Sequence, residues 1–334
     1  MNAFLRILVF VLAAVVVMAP QTSARAPGAK ASPSGIVVKT LAYGDSRLVL
    51  SYAPSDFRLS EKEIVDWVLR SARATATYFG RFPVAEVRIA LAPAEGADVG
   101  EGEAWASPDA RIRVFVGRNT ESAALMADST MVHEMTHLAF PDLDDSHLWL
   151  HEGIATYVEA VASAQAGEKS ARAVWAHLME EVPQGLPGAK DKGLDNTPSD
   201  DRRYWGGAMF CLLADVEIRR RTTNRFGLRD ALRAILEAGG TLSTTWEVER
   251  ALDIGDRAVG VPVLREAYAA WKERSVSPDL GALWRALGVS KTRDDGVRLV
   301  ADAPLASIRD AITAQPDRPL LLVGPKLLYE AQRR

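Results

Sequence analysis

The segment His133-Glu134-Met135-Thr136-His137 restricts the possible folds of this chain more than any other. Two histidines four residues apart share one face of a helix, so a helix over 128–140 presents two imidazoles to one metal ion with the Glu134 carboxylate beside them. Val132, Leu138 and Phe140 give that helix an apolar back, Asp128 or Ser129 can cap its start, and Pro141 blocks its continuation. A hydrolytic zinc site needs a third protein ligand and an open position, and beside two helical histidines the third is often Glu. Pro141 to Ser146 forces a reversal, and Leu148 to Glu159 then reads as a second helix antiparallel to the first, from which Glu152 can face both imidazoles. In so apolar and aromatic a segment an unpaired carboxylate is costly to bury, which favours a ligand over a solvated side chain. The competing reading of the pentapeptide is a pair of surface or core-satisfied histidines on an amphipathic helix.

Composition narrows the chemistry from the other side. The single cysteine, Cys211, removes intramolecular disulfides and every cysteine-based metal site or thiol relay, so a metal must be held by His and carboxylate. In Phe210-Cys211-Leu212-Leu213 it reads as a small buried apolar residue. Forty Lys plus Arg against forty-three Asp plus Glu give a net charge of −3, which offers no global attraction for nucleic acid or anionic lipid. The other histidines and acids take plain roles. His147 and His151 are expected near a polar helix start and His177 on an exposed or partly packed helix, while Asp142, Asp144 and Asp145 lack the spacing of a calcium loop and read as a solvated turn.

Residues 1–26 carry Arg6, an apolar run from Ile7 to Met18 and a polar exit at Gln21-Thr22-Ser23, the layout of a secretory signal peptide. The run is shorter than the roughly 20 residues of a membrane span. The expectation is therefore an exported protein, periplasmic or secreted by a bacterium, with no stable span after cleavage; an uncleaved anchor is the alternative. Beyond it, 27–118 reads as strand-rich: a hairpin of Ile36 to Leu41 and Leu48 to Tyr52 about Gly44-Asp45, a helix opened by the capping box Ser60-Glu61-Lys62-Glu63, and strands at Val87 to Leu91 and Ile112 to Val116 separated by a glycine-rich loop. The part 119–278 reads as helical, with segments near 128–140, 147–163, 169–181, 204–221, 227–238 and 263–274. The tail 279–334 mixes a short helix and a strand at Val297 to Val300. Strands first and helices second predict an α+β fold.

The H-E-x-x-H of 133–137 followed by W-x-x-E-G-x-A-x-Y-x-E from Trp149 to Glu159 resembles the gluzincin clan of zinc metallopeptidases, which holds the aminopeptidase N family, the glycyl aminopeptidase family and the smaller peptidase MA-like domains. The resemblance covers roughly Arg111 to Ile235. It implies a thermolysin-like core with His133, His137 and Glu152 as zinc ligands and Glu134 as general base. Tyr204-Trp205-Gly206-Gly207-Ala208 and the helix after it resemble the Y-x-K-G-A segment of the glycyl aminopeptidase family, which implies that the Tyr204 hydroxyl stabilises the oxyanion. Two departures stand out: Gly206 replaces the family's Lys, and no G-x-M-E-N-like segment, the holder of a substrate's free amino group in the aminopeptidase N family, lies upstream. Gly100-Glu101-Gly102-Glu103-Ala104-Trp105 occupies a comparable place, with Glu101 or Glu103 as the candidate amine binder.

The expected function is hydrolysis of peptide bonds in a peptide or protein substrate through a zinc-activated water, with aminopeptidase action as one form of it. Glu159, two turns after Glu152, is either the group holding a ligand histidine by its second ring nitrogen or an exposed helix carboxylate. The competing class is a non-catalytic exported interaction protein that keeps the fold and a structural zinc. A chain released from catalysis has no chemical need for Glu134 and Tyr204, which weighs against that class.

Overall fold

The computed structural model describes residues 35–197, 199–293, 296–316 and 327–328; the signal-peptide segment lies outside the described residues. Two runs of alternating apolar residues, β1 (Val37–Tyr43) and β2 (Ser46–Tyr52), fold back at Gly44, whose φ of 58° glycine reaches without strain. A crossover helix, α1 (Glu61–Phe79), follows. Its start is fixed as the sequence predicts: Ser60 Oγ accepts from the Glu63 amide at 3.3 Å and the Ser60 amide donates to the Glu63 carboxylate at 2.8 Å. Then come β3 (Glu86–Ala94), β4 (Val99–Trp105) and β5 (Arg111–Gly117).

The chain next turns helical with α2 (Ser122–Ala127), α3 (Thr130–His137), α4 (Leu148–Gln165), α5 (Ala171–Glu181), α6 (Asp200–Arg221), α7 (Leu228–Glu237), α8 (Val248–Val259), α9 (Val263–Trp271) and α10 (Leu280–Leu287). A small antiparallel pair, β6 (Val289–Lys291) and β7 (Val297–Leu299), precedes α11 (Ala306–Thr313) and the short β8 (Leu327–Leu328). The main sheet has the order β4-β5-β3-β2-β1-β8, with β2–β3 and β3–β5 parallel and the other pairs antiparallel. A mixed sheet followed by a mainly helical part is the α+β arrangement the sequence predicts.

Three local expectations differ. The glycine-rich segment before β5 is not all loop: Val99–Trp105 is the edge strand, with Gly102 and Ala104 on the buried side and Glu101, Glu103 and Trp105 on the half-buried side. Side chains as small as Gly and Ala blur the two-residue alternation that reveals a strand. The helix carrying Tyr204 opens four residues earlier, where the Ser199 hydroxyl accepts from the Arg202 amide, so Tyr204 sits in its second turn. Helix α8 was not anticipated from the sequence pattern.

Two apolar cores result. One lies under the sheet, built from residues such as Leu48, Ile89, Val114 and Trp67; the other fills the helical part around Trp149, Tyr157, Trp175 and Phe210. Helices α1 and α3 contribute to both. In α3, Val132 packs into the helical core while Met131, Met135 and Leu138 pack under the sheet. The histidine-bearing helix is therefore clamped between the layers, and every residue from Met131 to His137 is buried. Among the described residues no helix is long and apolar enough to cross a membrane.

Candidate metal centre

Helix α4 brings the third donor to the first two. It is apolar on nearly all sides, with Trp149, Leu150, Ile154, Tyr157 and Val158 buried, and it packs along α3 and α6. The crossing with α6 is close because Gly153 faces Gly207, where a side chain on either residue would overlap the other helix's backbone. Glu152 is thereby carried into the interior at 1% exposure, with Oε2 3.1 Å from His133 Nε2 and 3.6 Å from His137 Nε2. One donor atom from each of His133, His137 and Glu152 lies within 4.8 Å of the other two.

These residues fit a zinc ion. Donors on a tetrahedral zinc, each roughly 2.1 Å from it, stand about 3.4 Å apart, near the separations seen here. The charge environment agrees. Burial opposes an imidazolium at His133, yet the Glu152 and Glu159 carboxylates outweigh it and push the pKa well above the usual histidine range, so a positive charge is welcome at this spot. Burial, then the charges of His133 and His151, push His137 well below that range and keep it a neutral donor. His137 Nε2 is buried without a hydrogen-bond partner among the described residues and faces the Glu152 carboxylate, an arrangement that a shared cation resolves and a plain apolar core does not. Two imidazoles and a carboxylate, with a position left open, are a donor set that catalytic zinc takes.

The surrounding side chains set orientation and protonation. Glu159 accepts at His133 Nδ1 at 3.0 Å, the first of the two roles the sequence left open for it, and so directs Nε2 inward. Its other oxygen accepts from Ser129 Oγ at 3.1 Å. Glu134 is fully buried with both oxygens unpartnered; burial, with the charges of Glu152, Glu159 and Glu103 acting against that of His133, pushes its pKa up to about 8. The ring of Tyr204 stands 6.1 Å from that of His133. Burial and the neighbouring Glu152 and Glu134 charges hold its phenol above the usual tyrosine range, so at neutral pH it is an O–H donor. The tertiary structure thus gathers His133, Glu134, His137, Glu152 and Tyr204 into one place.

Other sequence expectations meet mixed outcomes. His151 is not at a polar helix start: it is buried against the Phe140 and His137 rings, and burial, acting against the Pro141 backbone, pushes its pKa down to about 4. Its place one residue before an inward Glu on a helix buried all round could have signalled this. Half-buried His147 faces Asp195 at 3.3 Å, His177 is exposed, and Cys211 is a buried free thiol. Asp144 caps its own turn through the Ser146 amide. Of the two amine-binding candidates, Glu103 is ion-paired to Arg113 on β5 at 2.6 Å. Of the two expected caps of α3, Asp128 accepts from the Thr130 amide, while Ser129 makes no cap bond and donates to Glu159 instead. Arg113 escaped the sequence reading, because its nearness to Glu103 depends on strand register alone.

No family model matches the sequence, and no curated protein does. Among solved structures the chain is similar to an aminopeptidase N family protein from Idiomarina loihiensis, with a TM-score of 0.61 and 13% identity over 80% of this chain and 53% of that one. An M1 zinc metallopeptidase from Deinococcus radiodurans also matches, with a TM-score of 0.49 and 18% identity over 74% of this chain and 54% of that one. The chain spans about half the length of the structures it matches. At 13% identity the first likeness establishes a shared fold, in which a mixed sheet precedes a mainly helical part.

Proposed function

We propose that this chain is an exported zinc metallopeptidase of the gluzincin type, with a thermolysin-like core. The observation that carries the reading is the convergence of His133, His137 and Glu152, with the buried, unpartnered Glu134 next to His133 and the Tyr204 ring 6.1 Å from that of His133. The name of the Idiomarina protein, an aminopeptidase N family member, points to the same chemistry. Export rests on the residue pattern of 1–26.

His133, His137 and Glu152 hold the zinc, which when bound supplies the Lewis acidity that makes a water nucleophilic at neutral pH and polarises the scissile carbonyl. Glu134 takes the proton of the attacking water at its carboxylate and returns it to the departing amine nitrogen. Its buried position, with neither oxygen hydrogen-bonded among the described residues, leaves the carboxylate available for that exchange. The Tyr204 O–H donates to the carbonyl oxygen as negative charge gathers there. Glu159 keeps the His133 ring in the tautomer that ligates through Nε2.

The test is cleavage of a diverse peptide library, followed by mass spectrometry, with the mature protein and its Glu134→Gln variant side by side. The parent is expected to cleave, and the variant to retain zinc without cleaving. Equal cleavage by both would sink the role of Glu134, and a zinc-loaded, folded parent that cleaves nothing would favour the non-catalytic interaction protein.

A further inference from the structure

Edge strand β4 borders the site: Gly102 lies directly against the Glu134 side chain, and Glu103 follows it. The acids of the site and of the strand bordering it are Glu152, Glu159 and Glu103. Each is already committed. Glu152 is a metal ligand, and Glu159 accepts from His133 Nδ1 and Ser129. Glu103, 12% exposed at its side chain, accepts from Arg113 Nη2 at 2.6 Å. The Arg113 guanidinium is held in turn over the Phe115 ring, 5.3 Å from its centroid, and strand pairing sets Glu103 directly opposite Arg113. Glu101, two residues earlier on the same side of the strand, is not free either.

A substrate's α-ammonium group is recognised by a carboxylate, and a cation already paired with that carboxylate weakens the attraction. An approaching ammonium here would have to share the Glu103 carboxylate with the Arg113 guanidinium bonded to one of its oxygens, and would meet the positive charge of Arg113 as it did so. Backbone groups of an extended peptide face no such competition, because among the described residues β4 has a sheet neighbour on one side only.

Resting on the proposed peptidase function, we infer that the Glu103–Arg113 pair is a specificity determinant: it closes the amine-binding option, and the substrates are peptide segments recognised without a free N-terminus. Cleavage is then internal to a chain rather than confined to its first residue. The pair acts on substrate choice and takes no part in the bond-breaking step.

The experiment compares kcat/KM on matched peptide pairs, N-acetylated and free, for the zinc-loaded parent, Arg113→Met, Glu103→Gln and the double variant. The parent should cleave the two forms within about threefold of each other. Arg113→Met, which releases Glu103, should shift preference toward the free amine by about tenfold, and the double variant should lose that gain. Cleavage by the parent of free-amine peptides only would overturn the inference while leaving the peptidase function intact. A selective loss on free-amine peptides in Glu103→Gln alone would overturn it as well, since it would show that Glu103 already binds the amine. No cleavage of either form by any variant would refute the peptidase function, and this inference with it.

Discussion

The Glu134 carboxyl lies against the α-carbon of Gly102: a Cβ built on that glycine would stand 2.5 Å from both Cγ and Oε1 of Glu134. The edge strand of the sheet therefore sets the position of the proposed base on α3, and the missing side chain at 102 makes room for it. Gly102→Ala is expected to displace the Glu134 side chain without touching a metal donor. Misplacement by about 1 Å costs on the order of 10²-fold in rate, so kcat should fall by that order while zinc content stays at one per chain. Steady-state kinetics beside metal analysis checks this, and an unchanged kcat would show that Glu134 has room to spare.

Glu159 makes no contact with the ion that His133, His137 and Glu152 would hold, so its removal separates ligand orientation from ligand supply. Glu159→Gln keeps the shape but weakens the hold on His133 Nδ1, and carboxylate partners of ligand histidines are typically worth 10–100-fold in metal affinity. Competition with a chelator of known affinity should show a loss in that range. An unaltered zinc affinity would return Glu159 to a purely structural place in α4.

Zinc itself should stabilise the fold. Glu134, Glu152 and Glu159 lie together with His133 and His137 in the interior, and a cation that binds only the folded chain adds about 2.7 kcal/mol at a free concentration 100 times its dissociation constant. Thermal unfolding of chelator-treated protein should therefore occur at a lower temperature than that of zinc-loaded protein. The same scan on His137→Ala should show little response to added zinc.

The crossing of α4 and α6 gives a prediction about packing. Gly153→Ala drives a methyl group into the Gly207 backbone, and overpacking of a close helix contact costs about 1–3 kcal/mol. Because Gly153 follows Glu152, zinc affinity should fall along with the midpoint of denaturant unfolding. Wild-type stability in this variant would mean that the two helices can separate at no cost.

Behind that crossing, Asp215 gathers four neighbours: it accepts from the Tyr157 hydroxyl at 2.8 Å, from Arg219 Nε at 2.8 Å and from the Leu228 amide at 3.0 Å, and its charge reaches Tyr78. Asp215→Ala leaves a buried guanidinium and a buried phenol unpaired, a defect of about 3–5 kcal/mol. Chemical denaturation should show it, with a zinc-loaded active site still formed in the fraction that remains folded.

Much of the site was legible because its chemistry is local. His133 and His137 lie one helical turn apart, Glu134 is adjacent, and Glu159 lies two turns after Glu152; such spacings fix a shared face once a helix is granted. The capping box at Ser60 and the hairpin about Gly44 were visible for the same reason, since a cap or a turn is decided by a few consecutive residues. Strand β4 was not, because its inward positions are only Gly102 and Ala104; helix α8 was passed over although Val248, Ala251, Leu252 and Val259 stand at helical spacing.

The sequence by itself determined which donors exist and that two of them lie on one helix face: with one cysteine and this spacing, His and Glu were the available ligands. Only the tertiary structure decided how deep the site lies, that His151 is buried against His137, that Gly102 makes room for Glu134, and that Arg113 occupies Glu103. Helical spacing is a property of the backbone repeat and can be read along the chain. Burial, strand register and the pairing of charges from different strands depend on how separate elements pack, and no local pattern encodes them.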